Sequence, residues 1–155
     1  MILLVSIVLS ACGAMPDNTP TAEPLETPAN PSSADCSPPS NWTIEYQRSG
    51  GIGGFSQSIT LQSDGSMTIQ SDHPPVDKQL QVPADHVEPI QNLLVEACPF
   101  PLGRAEGTCA DCFNYELEIQ MDEQFYSIQA QDTTLTEDLQ PLINALDEFI
   151  LMAAQ

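Results

Sequence analysis

The chain is expected to fold as an α+β domain: an antiparallel sheet built as a four-strand meander, a helix, a hairpin and a second helix, with both helices packed on one face. Two patterns carry that expectation. Apolar residues alternate with polar ones in six short runs after residue 40, and they recur at helical spacing in two longer segments. Residues 41–155, about 115 in all, suffice for one hydrophobic core, so a single domain is expected.

In Trp42-Thr43-Ile44-Glu45-Tyr46-Gln47-Arg48 the side chains of Trp42, Ile44 and Tyr46 share one face, the pattern of a strand buried on one side. Ser49-Gly50-Gly51-Ile52-Gly53-Gly54 then leads into a second run with Phe55, Ile59 and Leu61. Ser63-Asp64-Gly65 reads as a hairpin turn before Met67 and Ile69, because Asp-Gly readily supplies the positive φ of a tight turn. A fourth run, 76–82 with Leu80 central, completes the meander. Residues 85–97 place Val87, Ile90, Leu93, Leu94 and Ala97 on one helical stripe. Asp85 and Glu88 have the spacing of a capping box there, and Pro89 is expected near the first turn, where a missing N–H does little harm. Phe113, Tyr115, Leu117 and Ile119 alternate, Met121-Asp122-Glu123 turns, and 125–130 returns as a second hairpin. The apolar stripe of Leu135, Leu139, Leu142, Ile143, Leu146, Phe149 and Ile150 predicts the strongest helix, its regular part delayed by Pro141.

Ahead of the domain, residues 1–11 are almost wholly apolar and end in Leu9-Ser10-Ala11-Cys12. Small residues followed by a thiol that can be diacylated make the lipobox of a bacterial lipoprotein. The run is far shorter than the about 20 apolar residues of a membrane span. A signal peptide at 1–11 and a lipidated Cys12 are therefore expected, which places the protein outside the cytoplasm, anchored to the membrane by acyl chains. The departure from the pattern is that no Lys or Arg precedes the apolar run. Residues 12–40 are expected to be a disordered tether: seven prolines fall between Gly13 and Ser40, with almost nothing apolar to bury. At polyproline II rise that stretch reaches up to about 90 Å.

Three basic residues stand against 22 acidic ones, a formal charge of −19. Such a chain is repelled by phosphate polymers and by anionic headgroups. Nucleic acid is excluded as a partner, and membrane attachment falls to the acyl chains on Cys12. No Asp-x-Asp-x-Asp-Gly calcium loop, Gly-x-Ser-x-Gly elbow, His-Glu-x-x-His zinc motif or phosphate loop is present. His73 and His86 lie in a turn and at a helix start, with no matching ligand pattern. No catalytic residue, metal or cofactor is expected; the protein reads as a non-enzyme and a monomer.

Beyond Cys12 four cysteines remain: Cys36, Cys98, Cys109 and Cys112. An even number in an exported chain points to two disulfides, and four thiols allow three pairings. Cys98, at a helix end that returns through a short loop, is expected to pair with Cys109 or Cys112, and Cys36 to pin the tether to the domain. Cys109-Ala110-Asp111-Cys112 lacks the helix that a thioredoxin-like thiolate needs, and a single Cys-x-x-Cys in an oxidising compartment favours a disulfide over zinc.

Tyr46-Gln47-Arg48-Ser49-Gly50-Gly51 followed by a strand, the meander, the Leu93-Leu94 helix and the terminal helix with Leu142, Ala145 and Leu146 together resemble the emfourin family. The resemblance covers most of 42–150, and Arg48-Ser49-Gly50-Gly51 is its most specific part. Emfourins are small protein inhibitors of thermolysin-like metallopeptidases, so the resemblance implies that activity and that partner. The lipobox, the extra cysteines and the Ile52-Gly53-Gly54 detail mark an extracytoplasmic branch. Glycine lets backbone approach backbone closely. A contact loop of Arg48, Ser49, Gly50, Gly51, Ile52, Gly53, Gly54 and Phe55 is accordingly expected, with Ile52 as its apolar probe. The alternative from another class is an envelope lipoprotein that binds or scaffolds through its sheet face or acidic surface without inhibiting anything.

Overall fold

A computed structural model of the chain describes residues 36–101, 103, 104, 107 and 109–155. The expected signal segment at 1–11, Cys12 and the tether as far as residue 35 lie outside the described residues. Among the described residues no helix is long and apolar enough to cross a membrane.

Alternation produces the strands. In β1 (Trp42–Gly50), Trp42, Ile44 and Tyr46 are buried while Glu45 and Gln47 are exposed. The same period runs through β2 (Phe55–Gln62), with Gln57, Ile59 and Leu61 inward, and β3 (Ser66–Asp72), with Met67 and Ile69 inward. At the turn between them Gly65 has φ +86°, and a Cβ there would lie 2.4 Å from the carbonyl oxygen of Val82, so only glycine fits. The Asp64 carboxylate accepts from the Ser66 amide at 2.8 Å, closing the turn as the Asp-Gly pair predicts. In β4 (Pro75–Gln81) only Val76 is buried.

Helix α1 (Ala84–Ala97) follows, then β5 (Gly103–Arg104), β6 (Phe113–Met121), β7 (Gln124–Gln131) and α2 (Gln140–Ala153). The sheet order is β4-β3-β2-β1-β6-β7-β5. The expected antiparallel sheet holds both meander and hairpin: β1 pairs antiparallel with β6 along its whole length, Ile44 opposite Ile119 and Tyr46 opposite Leu117, so β1 is central instead of an edge of the meander. Six strands are antiparallel; the two-residue β5, which no alternation marks, adds to β7 in parallel. The inward residues of the strands join Val87, Ile90 and Leu94 of α1 and Leu142, Ile143, Leu146 and Ile150 of α2 in one cluster. Both helices thus cover the same face, as expected. The opposite face carries rows such as Thr68, Thr60, Glu45, Glu118 and Ser127, in register across five strands.

Two helix-end expectations are corrected. Pro83 is the N-cap of α1 and no side chain caps it, so Asp85 sits inside the first turn rather than forming a capping box with Glu88. Pro89 is inside the helix, past the first turn, and cannot give the hydrogen bond that residue 89 would otherwise offer the Asp85 carbonyl. At α2 the Pro141 expectation holds: proline occupies the opening turn, where its fixed φ is helical and its lost donor would have no partner. Lys78 of β4 donates to the Ala153 carbonyl, a cation on the negative end of the α2 dipole.

The cysteine pairing also differs from expectation. Cys36 bonds Cys98 and Cys109 bonds Cys112, with Cα separations of 5.6 Å and 5.4 Å. The physical reason is the path of residues 36–41, which are laid along α1 and the β6–β7 turn. Gln91 donates to the Pro39 carbonyl at 3.1 Å, and the Asp122 carboxylate accepts from the amides of Ser40 at 3.2 Å and Asn41 at 3.0 Å. Cys36 therefore still pins the segment ahead of β1, but through the end of α1.

Closing a long loop removes more unfolded-state entropy than closing a short one. The two bridges span 62 and 3 positions. Replacing Cys36 and Cys98 with serine is expected to cost about 4 kcal/mol, and replacing Cys109 and Cys112 no more than about 2 kcal/mol. Urea unfolding of the two double variants against wild type measures the difference; equal losses would contradict it.

Candidate functional site

The glycine stretch is the hairpin loop between β1 and β2, at the end of the sheet where β1 runs out. Gly50 pairs with Phe55 of β2 on one side and with Phe113 of β6 on the other, so the ladder ends there on both flanks. The amide of Gly54 donates to the Gly51 carbonyl at 3.1 Å and closes a turn over Ile52 and Gly53. Gly51 and Gly54 have φ of +68° and +64°, the left-handed region that Ile or Phe would occupy only under strain. Ile52 is 91% exposed, the most exposed large apolar side chain of the described residues.

The loop is held from beneath. Gly50 lies so close to the preceding segment of β6 that a Cβ would stand 2.7 Å from the Cys112 carbonyl oxygen, and the Gly51 amide donates to that same oxygen at 3.1 Å. The Phe113 ring packs on Gly51 and lies 5.7 Å, centroid to centroid, from Phe55, which in turn meets His73 of the β3–β4 turn edge-on at 5.2 Å. The Arg48 guanidinium sits over the other part of this stack, 4.7 Å from the Phe113 centroid.

Arg48 carries the alternation of β1 to its last inward position, where an apolar residue would be ordinary. Its Nη1 is ion-paired with Asp147 of α2, and its Nε donates to Oε1 of Gln57 at 2.8 Å. Gln57 is itself buried. Its amide nitrogen donates to Ser71 Oγ at 3.1 Å and to the His73 carbonyl at 2.6 Å, so its polar atoms are satisfied. The Tyr46 hydroxyl donates to the second Asp147 oxygen at 2.9 Å. On the neighbouring strand Tyr115 donates to Asp132 at 2.6 Å, and Asp132 also accepts from the Phe113 amide at 2.8 Å.

This network is built for position. Burial, with the Asp147 charge beside it, pushes the Tyr46 hydroxyl far above the ordinary phenol range, and burial with Asp132 does the same to Tyr115. Both therefore remain donors at any physiological pH. Burial raises Asp147, against the opposing pull of the Tyr46 hydrogen bond and the Arg48 charge. Among the described residues no group of three or more His, Cys, Asp or Glu could hold a metal ion.

The expected contact-loop residues divide into three sets, of which Gly50 and Gly51 pack on the Cys112 carbonyl and the Phe113 ring. Ser49, Ile52, Gly53 and Gly54 face solvent. Arg48 and Phe55 do not form the tip: their side chains hold the loop to β6, α2 and the β3–β4 turn. Sequence reasoning missed Gln57, Phe113 and Asp147 as supports. One signal pointed to them, since Arg48 shares parity with Trp42, Ile44 and Tyr46, and a cation on a core face requires an acid brought by another element.

Residues 76–147 match the family model for emfourin, from β4 through α1, β6 and β7 into α2. The chain carries an emfourin-like domain. The match covers a little under half of the chain and ends on Asp147, the residue that anchors Arg48. The glycine loop itself lies outside it. The emfourin family consists of protease inhibitors and not enzymes. No curated protein matches the chain.

Because its pKa is raised on folding, Asp147 binds its proton more tightly in the native state than in the unfolded chain. That contribution is complete below the ordinary carboxylate pKa of about 3.9 and is lost as pH rises through the folded value. The stability of wild type relative to Asp147→Asn is therefore expected to fall as pH is raised from about 4. Unfolding free energies of the pair over a pH series test this, and a pH-independent difference would contradict it.

Proposed function

We propose that this protein is an extracytoplasmic, lipid-anchored inhibitor of thermolysin-like metallopeptidases, which it engages through the 51–54 loop with Ile52 as the inserted side chain. The observation that carries the reading is the combination at one place of a nearly naked Ile52 with a backbone secured on both flanks. A single exposed apolar side chain is ordinary on a protein surface, and what sets Ile52 apart is the ordered glycine backbone that presents it. Because Gly51, Arg48 and Phe55 are already ordered, binding would lose little conformational entropy, which is how a small loop gains affinity. The emfourin match supports the inhibitor class.

The anchoring half of the proposal rests on the lipobox pattern at Cys12 and on two disulfides suited to an oxidising compartment. Geometry within the domain is consistent with display away from an anchor. Residues 36–41 enter at the start of β1, and the Ile52 loop lies past its other end, about 30 Å away at ordinary strand rise.

The outer sheet face, which neither helix covers among the described residues, favours the second reading, a binding or scaffold module. It carries Glu45, Glu116 and Glu118 among Ser, Thr and Gln. On that reading Ile52 would be dispensable.

Titration of the protein against several thermolysin-like peptidases separates the two. Inhibition is expected, and its absence at micromolar concentration across the set would sink the proposal. Ile52→Asp is expected to abolish inhibition with unchanged thermal unfolding, since the side chain makes no core contact. Unchanged potency in that variant would clear the loop of the role.

A further inference from the structure

The four-residue ring closed by Cys109 and Cys112 meets the exposed loop at the Cys112 carbonyl, which accepts from the Gly51 amide. We infer that this disulfide is a positioning element, a redox-removable brace that keeps the 51–54 loop in one conformation. The inference rests on the inhibitor reading for its functional consequence, though not for its structural one.

Left to itself the loop is poorly determined. Residues 50, 51, 53 and 54 are glycines, which lose more conformational freedom on ordering than any other residue. Inside the hairpin a single hydrogen bond, Gly54 amide to Gly51 carbonyl, opposes that freedom. The remaining polar restraint comes from outside, at the Cys112 carbonyl, which accepts from Gly51 and against which the Gly50 backbone is packed. Cys112 lies one residue beyond the β1–β6 ladder, whose last pair is Gly50 with Phe113. Its carbonyl accepts the terminal bond of that ladder, from the Gly51 amide, and no further strand pair follows it. The Asp132 bond to the next amide on one side and the closure to Cys109 on the other add to that end bond.

Both cysteines are half-buried and so within reach of a small dithiol. On reduction the dithiol is oxidised to its own disulfide, and two electrons and two protons pass to the pair, leaving thiols on Cys109 and Cys112. The Cys112 peptide then gains freedom, and the Gly51 amide loses a fixed acceptor. Cys36–Cys98 precedes β1 at its opposite end and plays no part in this.

The test uses the full chain with Cys109→Ser and Cys112→Ser together, which leaves Cys36–Cys98 closed. Amide hydrogen exchange at Gly51 is expected to accelerate by about tenfold or more while the amides of Ile44 and Ile119 keep their protection. The inhibition constant against a peptidase that wild type inhibits is expected to rise about tenfold, mostly through faster dissociation. Gly50→Ala supplies a second variant in which both disulfides remain. Its methyl would push on the Cys112 carbonyl, and the same acceleration at Gly51 is expected. Unchanged Gly51 exchange in the cysteine variant would overturn the brace, and accelerated exchange with full inhibitory potency would overturn its part in inhibition. Should wild type itself inhibit nothing, accelerated exchange confined to Gly51 would still uphold the brace and dispose only of the inhibitor reading.

Discussion

The Arg48–Asp147 pair is the interaction on which the arrangement of this domain turns. A guanidinium at the last inward position of β1 cannot be left uncompensated under a helix, and the acid that meets it comes from α2, ninety-nine positions along the chain. By accepting from Tyr46 as well, Asp147 ties α2 to the central strand β1, while the far end of the helix meets β4 through Lys78. Arg48 in turn presents its flat face to Phe113 and its Nε to Gln57, and so reaches β6 and β2 from β1. Both side chains of the pair are about one-fifth exposed, so the pair is partly shielded from solvent and draws its value from geometry more than from bare Coulomb attraction.

From that anchor the rest of the end of the sheet follows. Phe113 is held between Arg48 and Phe55, Phe55 meets His73, and Gln57 ties the His73 turn back to Arg48. The glycine loop rests on this floor. It is a loop of minimal side-chain bulk on a base of aromatic rings and satisfied polar groups, with one apolar residue projecting. At the other end of β1 the chain is secured differently, by a disulfide to α1, by Gln91 and by the Asp122 carboxylate. One end of the strand is an attachment and the other a presentation surface, and β1, fourth of seven strands, connects them through the centre of the sheet.

Much of this was legible beforehand. The strands, the Asp64-Gly65 turn, the second hairpin and both helices follow from apolar periodicity and turn chemistry, because burial on one face is a strictly local repeat. The exposed loop and Ile52 were legible too, since five loop residues of which four are glycine cannot be a core. What failed was whatever depends on distant chain segments meeting. The cysteine pairing was missed because the path of residues 36–41 against α1 has no sequence signal. The capping box expected at Asp85 and Glu88 failed because Pro83, two residues earlier, is the N-cap, and Arg48 was assigned to the contact surface because its acid partner lies in α2.

By itself, then, the sequence determined the class of fold, the order of its elements, the strongly anionic surface and the presence of one apolar side chain on a glycine loop. Each of these is a property of near neighbours in the chain or of composition. Only the tertiary structure decided that the second hairpin joins the meander along β1, that Cys109 closes on Cys112 beneath the loop, and that Arg48 supports the loop instead of forming it. Those outcomes rest on pairings between residues far apart in sequence, and their energy exists only once packing has brought the partners together and excluded water around them.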